Sequence, residues 1–247
     1  MIEMKGLTKR FGQTLAVDHL SLEIAKGEIF GFIGPNGAGK TTTIRMMAGA
    51  LGPTEGTVLI DGIPMATDPE AAKRVIGFIP DRPFLYEKLT GMEFMRFIAD
   101  LYGLDDGVFH QKAVGLLTQF SLYDWADHLI EAYSHGMKQR LVIASALLHD
   151  PRVIIVDEPM VGLDPAGIRM VKDLLRELAR KGTTIFLSTH ALEIAQDLCD
   201  RIGVIHRGRL VALGTTGDLR GTARLREGDL EEVFLRLTGK GERDRHG

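Results

Sequence analysis

Short apolar or alternating runs, bounded by glycine, proline and charged residues, fill the first third of the chain. Runs of about four to seven such residues between turn formers are typical of buried or half-buried strands. Five strands are therefore expected, over residues 2–7, 21–24, 28–33, 56–62 and 75–79. Helix formers cover residues 43–51 and end at Gly52 and Pro53, which predicts a helix between the third and fourth strands.

The pattern changes over residues 81–149, where hydrophobic positions follow helical spacing and no strand is predicted. Three helices are expected there, over residues 90–102, 107–120 and 137–148. Thr90 and Glu93 have the spacing of a capping box that opens the first helix, and Gly103 is placed to end it. These features predict a helical subdomain inserted into a sheet domain.

Strands alternate with helices again after residue 150. Four strands are expected, over residues 152–156, 183–187, 202–206 and 210–213. Asp164 and Pro165 are typical of an N-cap and a first helical position, so a helix is expected from there to Gly182. Arg207 and Gly208 separate the last two strands as a hairpin turn.

The composition excludes several classes of protein. The 247 residues are 45% hydrophobic and 26% charged, as in a globular protein with one large domain. A net charge of −3 gives no electrostatic basis for binding nucleic acid. The single cysteine, Cys199, suits a reducing compartment. With no signal peptide near Met1 and no run of the ~20 apolar residues that span a bilayer, we expect a cytoplasmic protein whose membrane role, if any, is peripheral.

Nine consecutive residues fill the pattern G-x-x-x-x-G-K-[ST]. They are Gly34, Pro35, Asn36, Gly37, Ala38, Gly39, Lys40, Thr41 and Thr42. Backbone amides at the start of a helix carry the positive end of its dipole, so they bind a phosphate chain by hydrogen bonds and by charge. We expect Lys40 to reach the β- and γ-phosphates of a nucleotide and the Thr41 hydroxyl to become a ligand of Mg²⁺.

Two alternatives to this phosphate loop are less favoured. A glycine-rich turn could match the pattern by chance, but the expected strand before the loop and helix after it supply the context that the motif requires. A dinucleotide site would need G-x-G-x-x-G and an acidic residue after the next strand.

Four other residues are candidates for the same site. Asp157 and Glu158 end an apolar strand, which fits a metal-side acid followed by a carboxylate that polarises the attacking water. Two acids alone would more often mark a solvated turn, so the presence of the phosphate loop favours a catalytic role.

His190 follows a strand at the edge where parallel sheets bind ligands, and alone it would more often be structural. Phe11 could stack on an adenine or simply pack in its loop.

The motifs, and the order in which they follow one another along the chain, resemble those of the ATP-binding subunit of an ABC transporter. The resemblance covers about residues 2–237. Residues 34–42 match the phosphate loop, and residues 162–165 match the Asp loop. Residues 133–137, Tyr-Ser-His-Gly-Met, stand where the family has Leu-Ser-Gly-Gly-Gln. The resemblance implies that Glu158 is the catalytic base, that His190 is the switch histidine and that Phe11 is the adenine-stacking aromatic.

The fold implied by the resemblance is a P-loop NTPase sheet core with an N-terminal antiparallel β-subdomain and an inserted helical subdomain. Residues 1–247 would form one cassette. Its expected parts are a nucleotide-binding core of residues 1–80 and 150–225, the helical subdomain of residues 81–149, and a C-terminal helix with a charged, frayed tail in residues 226–247.

The function implied is that of an Mg²⁺-dependent ATPase. Two copies, or one copy and a closely related cassette, would meet head to tail around two ATP molecules. Ser134 and Gly136 of each copy would hold the γ-phosphate bound to the other copy's phosphate loop, and hydrolysis would drive a separate multi-span membrane permease from the inner face of the membrane. The alternative is a soluble ATP-driven clamp or assembly factor that uses the same cassette without a permease.

Two departures from the family pattern narrow this expectation. Asp81 stands where the family commonly has glutamine, and a carboxylate can accept a hydrogen bond from metal-bound water but cannot donate one as an amide does. We therefore expect Asp81 on the metal side of the site. His135 and Met137 replace glycine and glutamine in the signature. Both departures resemble cassettes that serve exporters with separate, short helical permeases, so export is expected.

Overall fold

The computed structural model describes residues 1–82, 84–222 and 230–238. Its strands are β1 (Ile2–Phe11), β2 (Thr14–Ile24), β3 (Ile29–Ile33), β4 (Glu55–Ile60), β5 (Ile63–Pro64), β6 (Ile76–Ile79), β7 (Val153–Asp157), β8 (Thr184–Thr189), β9 (Arg201–His206) and β10 (Arg209–Gly214). Its α-helices are α1 (Lys40–Met47), α2 (Pro69–Arg74), α3 (Gly91–Tyr102), α4 (Asp106–Gln119), α5 (His135–Leu147), α6 (Pro165–Arg180), α7 (Leu192–Leu198), α8 (Thr216–Thr222) and α9 (Leu230–Leu237).

The strands form two sheets. The first is antiparallel, in the order β2-β1-β4-β5. The second has the order β10-β9-β3-β8-β7-β6 and is parallel except for β10, which pairs antiparallel with β9. The strands predicted from apolar runs are present, and so is the hairpin around Arg207 and Gly208, but β1 and β2 are longer than predicted and β5 was not predicted.

The central strands of the second sheet are buried on both faces, which explains their continuous apolar sequences. Along β7, Val153 and Ile155 pack with the first sheet and α1, whereas Ile154 and Val156 pack with the helices on the other side. Side chains alternate between the faces of a strand, so one apolar run supplies both layers of core.

The first helix differs from its prediction. It begins at Lys40, inside the phosphate loop, and ends at Met47, whereas residues 43–51 were expected. Gly49 has a φ of 65°, in the left-handed region that ends helices, so helix formers beyond it do not extend α1. Helices α2, α7 and α8 were not predicted; each has only six or seven residues.

Helices dominate between β6 and β7. The capping box of α3 is confirmed: Thr90 Oγ1 accepts from Glu93 N at 3.1 Å, and Glu93 Oε2 accepts from Thr90 N at 2.7 Å. Gly103 ends this helix with a φ of 68°. Helix α5 begins two residues before the predicted start because the Ser134 hydroxyl caps it, accepting from Met137 N at 3.3 Å.

The expected start of α6 is also confirmed, since Asp164 Oδ1 accepts from Gly167 N at 2.9 Å and Pro165 takes the first helical position. Of the C-terminal helix and charged tail expected in residues 226–247, only residues 230–238 are described, and they include α9; the rest lies outside the described residues. None of the described helices is long and apolar enough to cross a membrane.

Candidate functional site

Three segments with candidate residues meet at one edge of the parallel sheet. The phosphate loop follows β3, Asp157 ends β7, and His190 follows β8. Ile33 pairs with Thr189, and Asp157 pairs with Ser188. Because the carboxyl ends of parallel strands lie at the same edge, the register alone brings these segments together.

Glycine is required at two positions of the phosphate loop. At Gly34, an added Cβ would overlap the Ile205 carbonyl oxygen. Gly39 has a φ of 111°, and a Cβ there would lie 2.6 Å from the Ala16 carbonyl oxygen. The loop is therefore held tightly between the first sheet and β9, in a conformation that a larger residue would strain.

Lys40 is buried, and its ammonium lies across the loop from which α1 emerges. Its Nζ donates to the Gly34 carbonyl at 2.6 Å and to the Pro35 carbonyl at 3.3 Å. Burial lowers the pKa of Lys40, and the nearby carboxylates of Glu158 and Asp157 oppose that shift by favouring the charged form.

Thr41 and Asp157 form a pair of oxygen donors beside Lys40. The Thr41 hydroxyl donates to Asp157 Oδ2 at 3.3 Å. Burial raises the pKa of Asp157, and the negative charges of Asp81 and Glu158 raise it further, while the nearby hydroxyls of Ser188 and Thr41 oppose the shift. A bound cation would relieve this accumulation of negative charge.

The donor set fits Mg²⁺. Among the described residues, no group of three or more His, Cys, Asp and Glu side chains could hold a metal ion by itself. Mg²⁺ is usually bound by one or two carboxylates, waters and the phosphates of a substrate. One hydroxyl and one carboxylate next to a phosphate loop match that arrangement.

Glu158 has a strained backbone and a fixed side chain. Its φ is 52°, unusual for a residue other than glycine, and its N–H donates to the Ser188 carbonyl at 2.9 Å. The carboxylate accepts from Thr189 Oγ1 at 3.0 Å and from His190 N at 2.9 Å, and it lies 2.7 Å from His190 Nδ1. These contacts hold Glu158 and His190 as one unit.

Asp81 does not contact the Thr41–Asp157 pair through any hydrogen bond found in the described residues. It lines a cavity of about 560 Å³ together with Glu158 and His135. The structure therefore brings Asp81 to the side of the candidate site on which Glu158 lies.

Ser134 and Gly136 lie apart from the chain's own phosphate loop. They line a cavity of about 420 Å³ together with Arg140 and Asp164. A separate cavity, of about 600 Å³, is lined by residues 34–38 and His190. Within one copy, the signature residues and the phosphate loop thus open into different cavities.

Phe11 is placed at the end of β1, with 49% of the residue exposed. The Lys9 ammonium lies 5.3 Å from the centroid of its ring. The exposed ring of Phe11 has a face that a nucleotide base could contact. Phe11 does not, however, line the cavity beside the phosphate loop.

Sequence reasoning missed four residues that line the cavity beside the phosphate loop. They are Leu192, His206, Arg207 and Phe234. The hairpin turn that carries Arg207 was predicted, but its docking was not: Gly208 N donates to the Ala38 carbonyl at 2.9 Å. No local signal in the sequence shows that this turn packs on the loop.

Comparison with known proteins identifies this arrangement. Residues 17–161 match the ABC transporter family. The chain belongs to that family, among its ATP-binding proteins. The resemblance inferred from the motifs is thus confirmed.

The probable multidrug ABC transporter ATP-binding protein YbhF of Escherichia coli (strain K12) is 38% identical to this ABC protein over 240 residues. The match covers 96% of this chain and 41% of YbhF, so the chain spans less than half the length of that relative.

Solved structures confirm the expected fold of this ABC protein. One, described as the structure of the ATP binding subunit of an ABC transporter, has a TM-score of 0.91 and 36% identity, covering 96% of this chain and 99% of its own. The ATP-binding cassette MJ0796, solved as a dimer in a post-hydrolysis state bound to ADP and Pi, has a TM-score of 0.77 and 28% identity, covering 87% of this chain and 98% of its own.

Proposed function

We propose that this chain is the ATP-hydrolysing subunit of an exporter. Two copies, or one copy and a closely related cassette, dimerise head to tail around two ATP molecules and drive a separate multi-span membrane permease. The observation that carries the proposal is the unit of Glu158 and His190, fixed beside a phosphate loop at the same sheet edge.

The phosphate loop, residues 34–42, binds the ATP phosphates through its backbone amides and through Lys40. Thr41 and Asp157 would hold Mg²⁺, with Asp81 on the metal side of the site. When bound, Mg²⁺ neutralises charge that develops on the phosphates. The proximity of the Thr41 hydroxyl to Asp157 Oδ2 supports this assignment.

Glu158 orients and polarises the attacking water, and His190 contacts the γ-phosphate. The two side chains share a hydrogen bond, so the position of the histidine sets the position of the carboxylate. Only 17% of the Glu158 side chain is exposed, and this shielding strengthens its electrostatic interactions with the reacting groups.

Ser134 and Gly136 hold the γ-phosphate of an ATP that is bound to the other copy. Two facts support this part of the proposal. The signature cavity is separate from the phosphate-loop cavity within one copy, and a relative of the same fold was solved as a dimer. In a head-to-tail dimer, each signature loop would close over the partner's phosphate loop.

The permease docks beside Asp81, on exposed aromatic residues of the helical subdomain. Phe84 is 86% exposed and Tyr86 is 53% exposed, and the ring of Tyr86 packs edge-on against Phe97 at 5.3 Å. Exposed apolar residues mark a protein interaction site where they form a contiguous patch, and these aromatics are neighbours in the chain. Closure of the dimer would move this surface.

The direction of transport is proposed to be export. The name of YbhF, a probable multidrug transporter protein, supports this direction.

The variant Glu158→Gln tests the catalytic assignment. The purified wild-type chain should hydrolyse ATP when Mg²⁺ is present, and chelation of the metal should stop the reaction. Glu158→Gln should lower turnover at least about a hundredfold, because water activation is lost, and should leave ATP binding intact. Phosphate release and equilibrium nucleotide binding measure the two effects.

The matched control is Glu193→Gln, which makes the same chemical change at an exposed position of α7 and should hydrolyse ATP at the wild-type rate. Full turnover by Glu158→Gln would remove Glu158 from the proposed role.

A further inference from the structure

His135 lies at the start of the signature helix, in a place where the family pattern has glycine. It is the first residue of α5, directly after Ser134, whose hydroxyl caps that helix. A glycine would present no side chain here. The imidazole of His135 is therefore a feature of this chain that the proposed reaction does not use.

The His135 ring packs against the loop that follows the catalytic carboxylate. A Cβ added to Gly162 would overlap the ring at Cδ2 and Nε2, so the imidazole occupies the space that a side chain at residue 162 would need. Gly162 also has a φ of 79°, which strains any residue other than glycine. The neighbouring Gly136 faces the same loop, since its added Cβ would lie 3.3 Å from the Gly162 carbonyl oxygen.

The contacted loop is short and tied to Glu158. Val161 N donates to the Glu158 carbonyl, and Leu163 N donates to the Met160 carbonyl, each at 3.3 Å. At its far end, Asp164 caps α6. Only three residues separate Gly162 from Glu158. A displacement of Gly162 is therefore transmitted to Glu158 with little loss.

We propose that His135 is a positioning residue that couples the two ATP sites of the dimer. The inference rests on the proposed head-to-tail arrangement, in which Ser134 contacts the partner's ATP and Glu158 acts on the chain's own ATP. His135 joins these two elements within one chain through Gly162. Occupation of one site thereby sets the position of the catalytic carboxylate in the other.

The test uses mixed dimers in which a single site turns over. One chain of each mixed dimer carries Glu158→Gln and cannot hydrolyse its ATP. The other chain, called the reporting chain, keeps Glu158 and therefore performs all the hydrolysis. The reporting chain also carries Ser134→Ala, His135→Ala or both, and its Ser134 contacts the ATP that is not hydrolysed. ATP hydrolysis is measured together with the amount of ATP retained on the dimer after rapid desalting, which reports closure independently of turnover.

Ser134→Ala should lower hydrolysis at the reporting site at least about fivefold, the lower end of typical coupling between sites. When His135→Ala is also present, Ser134→Ala should have no further effect on that rate. His135→Phe keeps a planar ring against Gly162 and cannot be protonated, so it should preserve the fivefold effect. His110→Ala, at an exposed position of α4, is the matched control and should also preserve it.

An effect of Ser134→Ala that is the same with and without His135→Ala would overturn the coupling role. The coupling role would also be overturned if Ser134→Ala no longer lowered hydrolysis in the His135→Phe background while the amount of retained ATP stayed unchanged. Failure of the dimer model itself is recognised separately, because Lys40→Ala and Ser134→Arg chains would then fail to complement each other when mixed.

Discussion

At the scale of single residues, Phe11 offers the simplest test of how the nucleotide base is held. About half of this residue is exposed at the end of β1. Phe11→Ala should weaken ATP binding roughly five- to a hundredfold, as expected for loss of one base–aromatic stack, with a smaller effect on the rate at saturating ATP because the base is remote from the reacting phosphorus. Isothermal titration and steady-state kinetics measure the two quantities.

Tyr123→Ala is the control, since Tyr123 is 51% exposed and lies in the helical subdomain. Phe11→Tyr should bind ATP as the wild type does. Unchanged affinity in Phe11→Ala would show that the ring does not stack on the base.

The sequence was sufficient to select candidate site residues whose signal is local. Lys40 and Thr41 belong to a contiguous motif, and Asp157 and Glu158 are adjacent at a strand end, so spacing alone identified them. The packing of His135 on Gly162 joins positions that are 27 apart in the chain, and no pattern in either segment indicates it. Side-chain contacts across the fold depend on tertiary packing, which motifs do not encode.

At the scale of secondary-structure elements, the strands were predictable because buried parallel strands need continuous apolar residues. Helix ends were less predictable. Composition placed the end of α1 at residue 51, but the left-handed backbone of Gly49 ended it earlier. Helix α2, with six residues, has too few turns for a periodic pattern, although Asp68 does cap it by accepting from Ala71 N at 3.2 Å.

One stacked pair joins the end of α3 to the start of β6. The rings of Tyr102 and His149 stack with their centroids 3.6 Å apart, and His149 Nε2 lies 2.9 Å from the Ile76 carbonyl oxygen. Burial lowers the pKa of His149 below its ordinary value of 6.5; Lys112 adds to this shift, while the Ile76 carbonyl and Asp150 oppose it.

This lowered pKa predicts a pH-dependent stability. As pH falls through 6.5, the unfolded chain gains a proton at His149 before the folded chain does, so the contribution of this residue to stability is complete above 6.5 and declines below it, down to the folded pKa. The free energy of unfolding, measured with urea from pH 7.5 to 5, should therefore fall more steeply in the wild type than in His149→Phe.

His110→Phe, which alters an exposed histidine, should keep the wild-type slope. Parallel curves for the wild type and His149→Phe would mean that His149 does not resist protonation in the folded protein.

At the scale of the whole molecule, Asp81 tests the proposed link between ATP hydrolysis and a membrane permease. It lines one cavity with Glu158 and precedes the exposed Phe84 and Tyr86 in the chain. Asp81→Gln restores the amide common in the family. We expect it to change the stimulation of ATP hydrolysis by the permease more than the basal rate, because the basal reaction does not require the docking surface.

The measurement compares ATPase rates of the isolated chain and of the complex purified from membranes. Asp105→Gln, which alters an exposed acid of the helical subdomain, serves as the control for the loss of a carboxylate. An unaltered response in Asp81→Gln would exclude a coupling role for this position.

The central claim is that each ATP lies between two copies, and one mixing experiment tests it directly. Glu158→Gln is the background, so that trapped ATP reports closure. One preparation adds Lys40→Ala and another adds Ser134→Arg, and each homodimer then has two damaged sites. If Ser134 serves the partner's ATP, a mixed dimer has one site with both elements intact and one site that lacks both.

Mixtures should therefore trap ATP although neither parent does, at up to one ATP for each mixed dimer. If Ser134 acted on its own chain's nucleotide, the mixed dimer would contain two singly damaged sites and would trap none. Absence of trapped ATP in a mixture whose subunit exchange has been confirmed by native mass spectrometry would contradict the head-to-tail arrangement.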